Sequence, residues 1–269
     1  MKTPMFAVVA MLAAATAFAG QDAPAKKGGG KVYAHFTTSL GKFTGIKGDT
    51  LTRGYLAVPA GKGPFPALIM IHEWDGVNDR DRQVADMFAS HGYVTLLADL
   101  YQGKTGSNQQ ENVALMNDAR AHLDRVIGNL DGAQKFLRAR PDVTGKVGVV
   151  GWCFGGGIAL SYALGGAEHQ ATAIFYGMLV TDPAELKRIH HPIYGTFAGQ
   201  DRNITPATVA RFRTVLDSIG IKNDIHVYDP VQHGFWLWVD RDPATNTAPA
   251  ADAWQRLVRY LHDNLGGGT

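Results

Sequence analysis

Three residues in this chain could together do nucleophilic chemistry: Cys153, Asp201 and His233. Cys153 lies in the run Gly151-Trp152-Cys153-Phe154-Gly155, with Gly156 and Gly157 following. A glycine two before and two after a nucleophile is the spacing of a sharp strand-to-helix elbow. The turn forces the nucleophile into a strained backbone conformation, and glycine relieves the crowding on either side. The thiolate is the reactive form of cysteine, so a base must manage its proton. His233, in Gln232-His233-Gly234-Phe235, is the candidate base, and Asp201, in Gly199-Gln200-Asp201, the candidate orienting acid. Any one of ten histidines is more often structural than catalytic. The joint placement of all three residues is what carries the reading. His72 and His190-His191 have no cysteine or carboxylate at metal-ligand spacing, so no metal site is expected.

These residues need a rigid frame. Val147 to Val150 reads as a buried strand feeding the elbow, and Ile158 to Leu164 as the helix leaving it. Val32–Thr38 and Leu51–Val58 read as strands that start the sheet in antiparallel fashion. Ala67–His72 reads as a central strand covered on both faces. Further strands are expected over Tyr93–Leu97, Ala171–Tyr176, Pro192–Ala198 and Asp224–Tyr228. Helices are expected over Asp79–Ser90, Glu111–Ala139 (with a break near Gly128 or Gly132), Pro206–Ile219 and Trp254–Leu265. Alternating strands and helices argue an α/β fold with a mostly parallel central sheet and helices on both faces. In such sheets the reactive groups lie beyond the carboxyl ends of the strands, where Glu73, Cys153, Asp201 and His233 all fall.

The N-terminus reads as a leader. Lys2 precedes an apolar run from Met5 to Phe18, and Ala17-Phe18-Ala19 has the form of a cleavage site. The expected division is 1–19 signal peptide, 20–31 flexible lead-in, and 32–269 one catalytic domain. Export to a bacterial periplasm follows as the expectation. Cys153 is the only cysteine, so the domain must hold together without disulfides. The formal charge is only +2, and nothing in it suggests a nucleic acid or membrane partner. A monomer acting on a small molecule is expected.

The segments IHEWDGVND, ADLYQG, GWCFGGG, AGQDRNITP and QHGFW, in register from about residue 50 onward, resemble the dienelactone hydrolase family. The resemblance implies an α/β-hydrolase fold, with Cys153, Asp201 and His233 as its triad and no cofactor. It implies that Glu73 can accept the thiol proton. It also implies an oxyanion hole made of the Trp74 and Phe154 backbone N–H groups, and a pocket lined by Tyr101 and Trp236. Two arginines that hold a substrate carboxylate in the enzyme naming the family are absent: their positions here are Gly103 and Leu237. The expected activity is therefore hydrolysis of an ester or lactone of apolar character through an acyl-enzyme. An acyl transferase or thioesterase using the same triad is the nearest alternative, and a non-catalytic binding protein retaining the fold is a third.

Overall fold

The computed structural model describes residues 31–36 and 54–267. The proposed leader, residues 20–30 of the lead-in, the last two residues of the expected strand 32–38 and the first three of the expected strand 51–58 lie outside the described residues. Eight strands form one sheet: β1 (Lys31–Phe36), β2 (Gly54–Val58), β3 (Phe65–Ile71), β4 (Val94–Ala98), β5 (Val143–Trp152), β6 (Ala171–Phe175), β7 (Ile193–Ala198) and β8 (Asn223–Tyr228). Their order across the sheet is β1-β2-β4-β3-β5-β6-β7-β8. The β1–β2 and β2–β4 pairs are antiparallel and the rest parallel, as the pattern predicts. The chain passes from β3 outward to β4, then returns to the other side of β3 as β5. That reversal is the topological switch point, where an open α/β sheet leaves a crevice.

The helices are α1 (Asp79–Ser90), α2 (Gln109–Ala121), α3 (Leu123–Arg138), α4 (Phe154–Gly165), α5 (Pro183–Leu186), α6 (Pro206–Ser218) and α7 (Pro243–Leu265). Side chains alternate across the sheet. Leu68 and Met70 of β3 pack with Phe88 of α1 and with Trp254 and Leu257 of α7. Ala67, Ile69 and Ile71 face Leu130 and Leu137 of α3 and Ile158 of α4. Both faces are thus dry, which is why β3 and β5 are nearly continuous apolar runs.

Two helices differ from expectation. The long helix breaks at His122 (φ −124°, ψ 52°), not at a glycine. The His122 ring nitrogen lies 2.8 Å from the Asp118 carbonyl, where it satisfies a helix-end acceptor. Gly128 sits exposed inside α3 and Gly132 is buried there, so neither interrupts it. Helix α7 starts at Pro243, well before Trp254. Asp242 caps it by accepting from Thr245 N–H, and Pro249 is carried inside the helix. Its far end reaches the opening of β3, where Gly267 packs on Pro66.

At the amino-terminal edge of the sheet lies a buried relay. His169 Nδ1 lies 2.9 Å from the Ala167 carbonyl, its Nε2 lies 2.8 Å from Thr172 Oγ1, and that hydroxyl lies 2.8 Å from His191 Nε2. One polarity satisfies all three contacts: the Thr172 hydroxyl donates to His169 and accepts from His191. A proton added to His169 reverses the chain. Burial depresses the His169 pKa to about 4 and that of His191 to about 3. A depressed histidine stays neutral in the fold while the unfolded chain takes up protons below about 6.5. Stability therefore falls as pH drops from there towards the folded value. His169→Gln should remove this component. Urea unfolding at pH 7 and pH 4.5 should lose about 2 kcal/mol less between the two pH values in the variant than in the wild type. Equal losses in the two proteins would refute the relay's cost.

Candidate active site

Strand β5 ends at Trp152 and helix α4 begins at Phe154, so Cys153 alone makes the turn. Its backbone, at φ 54° and ψ −114°, lies where non-glycine residues are strained. The strain is held from several sides. Cys153 N–H donates to the Phe175 carbonyl at the end of β6 (2.9 Å). A side chain at Gly151 would come within 2.2 Å of the Gly155 carbonyl oxygen. One at Gly155 would meet the Ile71 and His72 carbonyls at 2.4 and 2.5 Å. One at Gly156 would meet the Phe175 carbonyl at 2.8 Å. The glycines let the elbow press against the ends of β3 and β6. That contact brings the segment following β3, with Glu73 and Trp74, to the nucleophile's turn.

Asp201 lies in the turn after β7 and His233 in the loop after β8. His233 Nδ1 is 2.6 Å from Asp201 Oδ2, and Asp201 is buried. The other carboxylate oxygen accepts from Asn203 N–H (2.8 Å) and Ile204 N–H (3.1 Å). Burial works to raise the Asp201 pKa, but the bonds from His233 and these two amides outweigh it, so the carboxyl stays below its usual range. The Asp201 bond fixes the His233 ring with Nδ1 inward and Nε2 turned away from the carboxylate, and Cys153 is close enough to raise the ring's proton affinity. Burial lowers the imidazole's proton affinity, but Asp201 and Cys153 raise it more, and the His233 pKa is pushed up to about 10.

Glu73 is buried and its carboxylate accepts from the Trp238 indole N–H at 2.8 Å. Burial pushes its pKa up to about 7, against the Trp238 bond and the charges of His233 and Arg241 that pull it down. Its neighbour His72 is fully buried and links the strands: its ring nitrogens lie 2.5 Å from the Glu73 carbonyl and 3.2 Å from Leu100 N, which donates.

The remaining candidates separate. Phe154 is the first residue of α4, where backbone N–H groups have no partner within the helix. Trp74 is half-buried three residues after the end of β3. Tyr101 is buried, its ring 4.6 Å from His72 and 5.6 Å from Phe154, and its hydroxyl has no hydrogen-bond partner. Trp236, offered by the sequence as a pocket residue, is instead in the core, its ring 5.3 Å from Trp152 and 5.3 Å from Phe175. The indole that reaches the acidic group is Trp238, two residues on.

Tyr176 is a residue the sequence does not flag. It has φ 39°, is fully buried, and its ring lies 4.9 Å from that of His233. A positive φ at an aromatic residue is uncommon, and here it coincides with the site.

The family model described as the dienelactone hydrolase family matches residues 52–265. The chain belongs to the dienelactone hydrolase family. A relative in Methylorubrum extorquens, provisionally named a carboxymethylenebutenolidase, is 31% identical over 231 residues, covering 79% of this chain and 77% of that one. Among solved structures, one from Klebsiella pneumoniae, provisionally titled a dienelactone hydrolase, has a TM-score of 0.71 at 24% identity and covers 84% of this chain and 97% of that one. A dienelactone hydrolase from Anabaena variabilis has a TM-score of 0.62 at 23% identity, covering 88% and 99%. The two structures share the α/β-hydrolase fold with this chain. Membership in this family makes the chain a hydrolase.

Proposed function

We propose that this hydrolase cleaves an ester or lactone with Cys153 as nucleophile, through an acyl-enzyme. The observation carrying the reading is the ordered line Asp201–His233–Cys153 at a strained elbow. The Asp201 carboxylate favours the protonated form of His233, which is then a donor and not an acceptor towards sulfur. Glu73, with a pKa of about 7, is the group able to take the thiol proton. Cys153 then attacks the carbonyl carbon, and the Phe154 and Trp74 N–H groups stabilise the tetrahedral oxyanion. His233 protonates the leaving oxygen as the C–O bond breaks.

Acylation removes the sulfur's negative charge, which is one of the influences holding His233 protonated. Neutral His233 then takes a proton from water, and hydroxide releases the acid. No step needs a cofactor. The missing arginines favour an apolar substrate. Gly103 spends its N–H on Asp99, and Leu237 is buried. Met178, 55% exposed, lies against Gly157 on the first turn of α4, an apolar wall beside the nucleophile.

The test is direct. Brief reaction with p-nitrophenyl acetate, acid quenching and peptide mass spectrometry should find an acetyl group on the peptide carrying Cys153. Turnover with the adduct on another residue, or with none at any quench time, would overturn the mechanism.

A further inference from the structure

The segment leaving β6 holds an apolar side chain out in solvent beside the elbow. Phe175 ends the strand with its carbonyl on Cys153 N–H (2.9 Å). Tyr176 turns the chain at φ 39° and donates its N–H to the Thr196 carbonyl of β7 (2.7 Å). Gly177 then runs against the first turn of α4, where a side chain would meet Gly156 and Gly157 backbone atoms at 2.3 to 2.7 Å. Met178 comes next, and a side chain at Gly157 would meet its backbone N and its Cβ at 3.4 Å. Leu179 and Val180 follow, partly buried against the cluster of Leu160, Leu186 and Phe197. The chain is thus fixed on both sides of Met178, yet Met178 is the most exposed large apolar residue among the described residues.

The ground between Met178 and the nucleophile is apolar. Gly157 N–H donates to the Cys153 carbonyl (3.2 Å), so the two residues lie one turn apart on α4. Both are half-buried, whereas Phe154, Gly155 and Gly156 between them are buried. The Gly157 carbonyl already accepts from Ser161 Oγ (3.1 Å), so neither of its backbone polar groups is free. A single exposed apolar residue is ordinary on a protein surface. One held rigidly beside a nucleophile, across a glycine with no side chain to fill the space, is a contact waiting for a substrate.

We infer that Met178 is a specificity-determining residue: its side chain packs on the acyl chain of the substrate, so that the preferred substrate is an ester of an apolar acid several carbons long. The assignment rests on the proposed acyl-enzyme and names the acyl group it would carry. The leaving oxygen must lie at His233 to be protonated, and the oxyanion at the Phe154 N–H. The acyl chain takes the remaining direction, along Gly157 towards Met178. An unbranched thioether adapts to a flexible alkyl chain. Each methylene fully removed from water is worth about fourfold in binding.

Hydrolysis of p-nitrophenyl acetate, butyrate and hexanoate varies the acyl chain at a constant leaving group. In the wild type kcat/KM should rise about tenfold or more from acetate to hexanoate. Met178→Ser should cut that ratio by about tenfold, and Met178→Leu should keep it within about threefold. A wild type that prefers acetate, or an unchanged ratio in Met178→Ser, overturns the assignment. The contact can also be read without chemistry. In protein labelled at the methionine methyl carbons, Met178→Leu identifies the Met178 resonance. The p-nitroanilide of hexanoic acid, an amide analogue of the ester, should shift it, and that of acetic acid should not. A resonance that both leave in place overturns the assignment even if no ester is hydrolysed. A shift with the hexanoic compound in a protein that hydrolyses none of the three esters upholds the contact and removes the proposed function instead.

Discussion

Cys153→Ala is expected to lower the rate of p-nitrophenyl acetate hydrolysis by about a thousandfold or more. The size follows from what remains after the change. The elbow keeps its backbone, because alanine fits wherever cysteine does, and the proposed oxyanion donors on Phe154 and Trp74 are unaffected. What the proposed mechanism loses is covalent catalysis, the splitting of one hard step into two easier ones. His233 also loses the sulfur that helps hold its proton, so its pKa should fall from about 10. Histidine proton NMR of the variant would read that fall independently of activity. Activity within tenfold of the wild type would remove Cys153 from the mechanism and leave a fold whose chemistry lies elsewhere.

The second large effect is at Asp201. Asp201→Asn is nearly isosteric, but its amide can face His233 with either a donor or an acceptor. Oδ1 is pinned by the Asn203 and Ile204 N–H groups, so the oxygen of the new amide stays there and the NH2 turns to His233. An NH2 facing Nδ1 selects the imidazole tautomer with its proton on Nε2, which reverses the ring's relation to Cys153. A loss of kcat of about three to four orders of magnitude is expected, as for comparable triads. The surviving activity should rise with pH over a different range, because the carboxylate that helped hold His233 protonated is gone. The sign is fixed: removing a negative partner lowers the imidazole pKa, so neutral His233 becomes available at lower pH. An unchanged pH profile would mean that Asp201 only shapes the loop after β7.

Much of this site could be read from residue types, because its constraints are local. The glycines at 151, 155 and 156 each abut another segment's backbone at distances that exclude a side chain. That demand is written directly into the sequence. Strand ends were equally legible, since buried parallel strands are apolar runs and the residues just past them face the crevice. Helix interruption was not. Gly128 and Gly132 suggested a break by low propensity, yet the tertiary packing of Leu130, Ala133 and Leu137 outweighs about 1 kcal/mol per glycine. The actual break at His122 depends on a side chain finding a carbonyl, which no periodicity signals. Pro249 similarly disguised the first half of α7.

The exchange of Trp236 for Trp238 has a related origin. Residues 233–238 run through turns, not a strand or a long helix, so no period of two or 3.6 says which indole faces inward. Only the cross-chain contacts decide: Trp236 meets Trp152 and Phe175, while Trp238 meets two arginines and Glu73.

The antiparallel start of the sheet has a practical consequence. Lys31 pairs with Val58, and β2 runs back so that Ala57 pairs with Thr95 near the beginning of β4. At the other end of the chain, Gly267 rests on Pro66 at the opening of β3. The chain therefore enters and leaves the described fold on the face where the parallel strands begin, and Cys153, Asp201 and His233 occupy the face where they end. A tether joined at Gly267, whether to a bead, a carrier protein or an electrode, anchors the molecule with the proposed catalytic face outward. Attachment through surface lysines, scattered over the fold, has no such orientation.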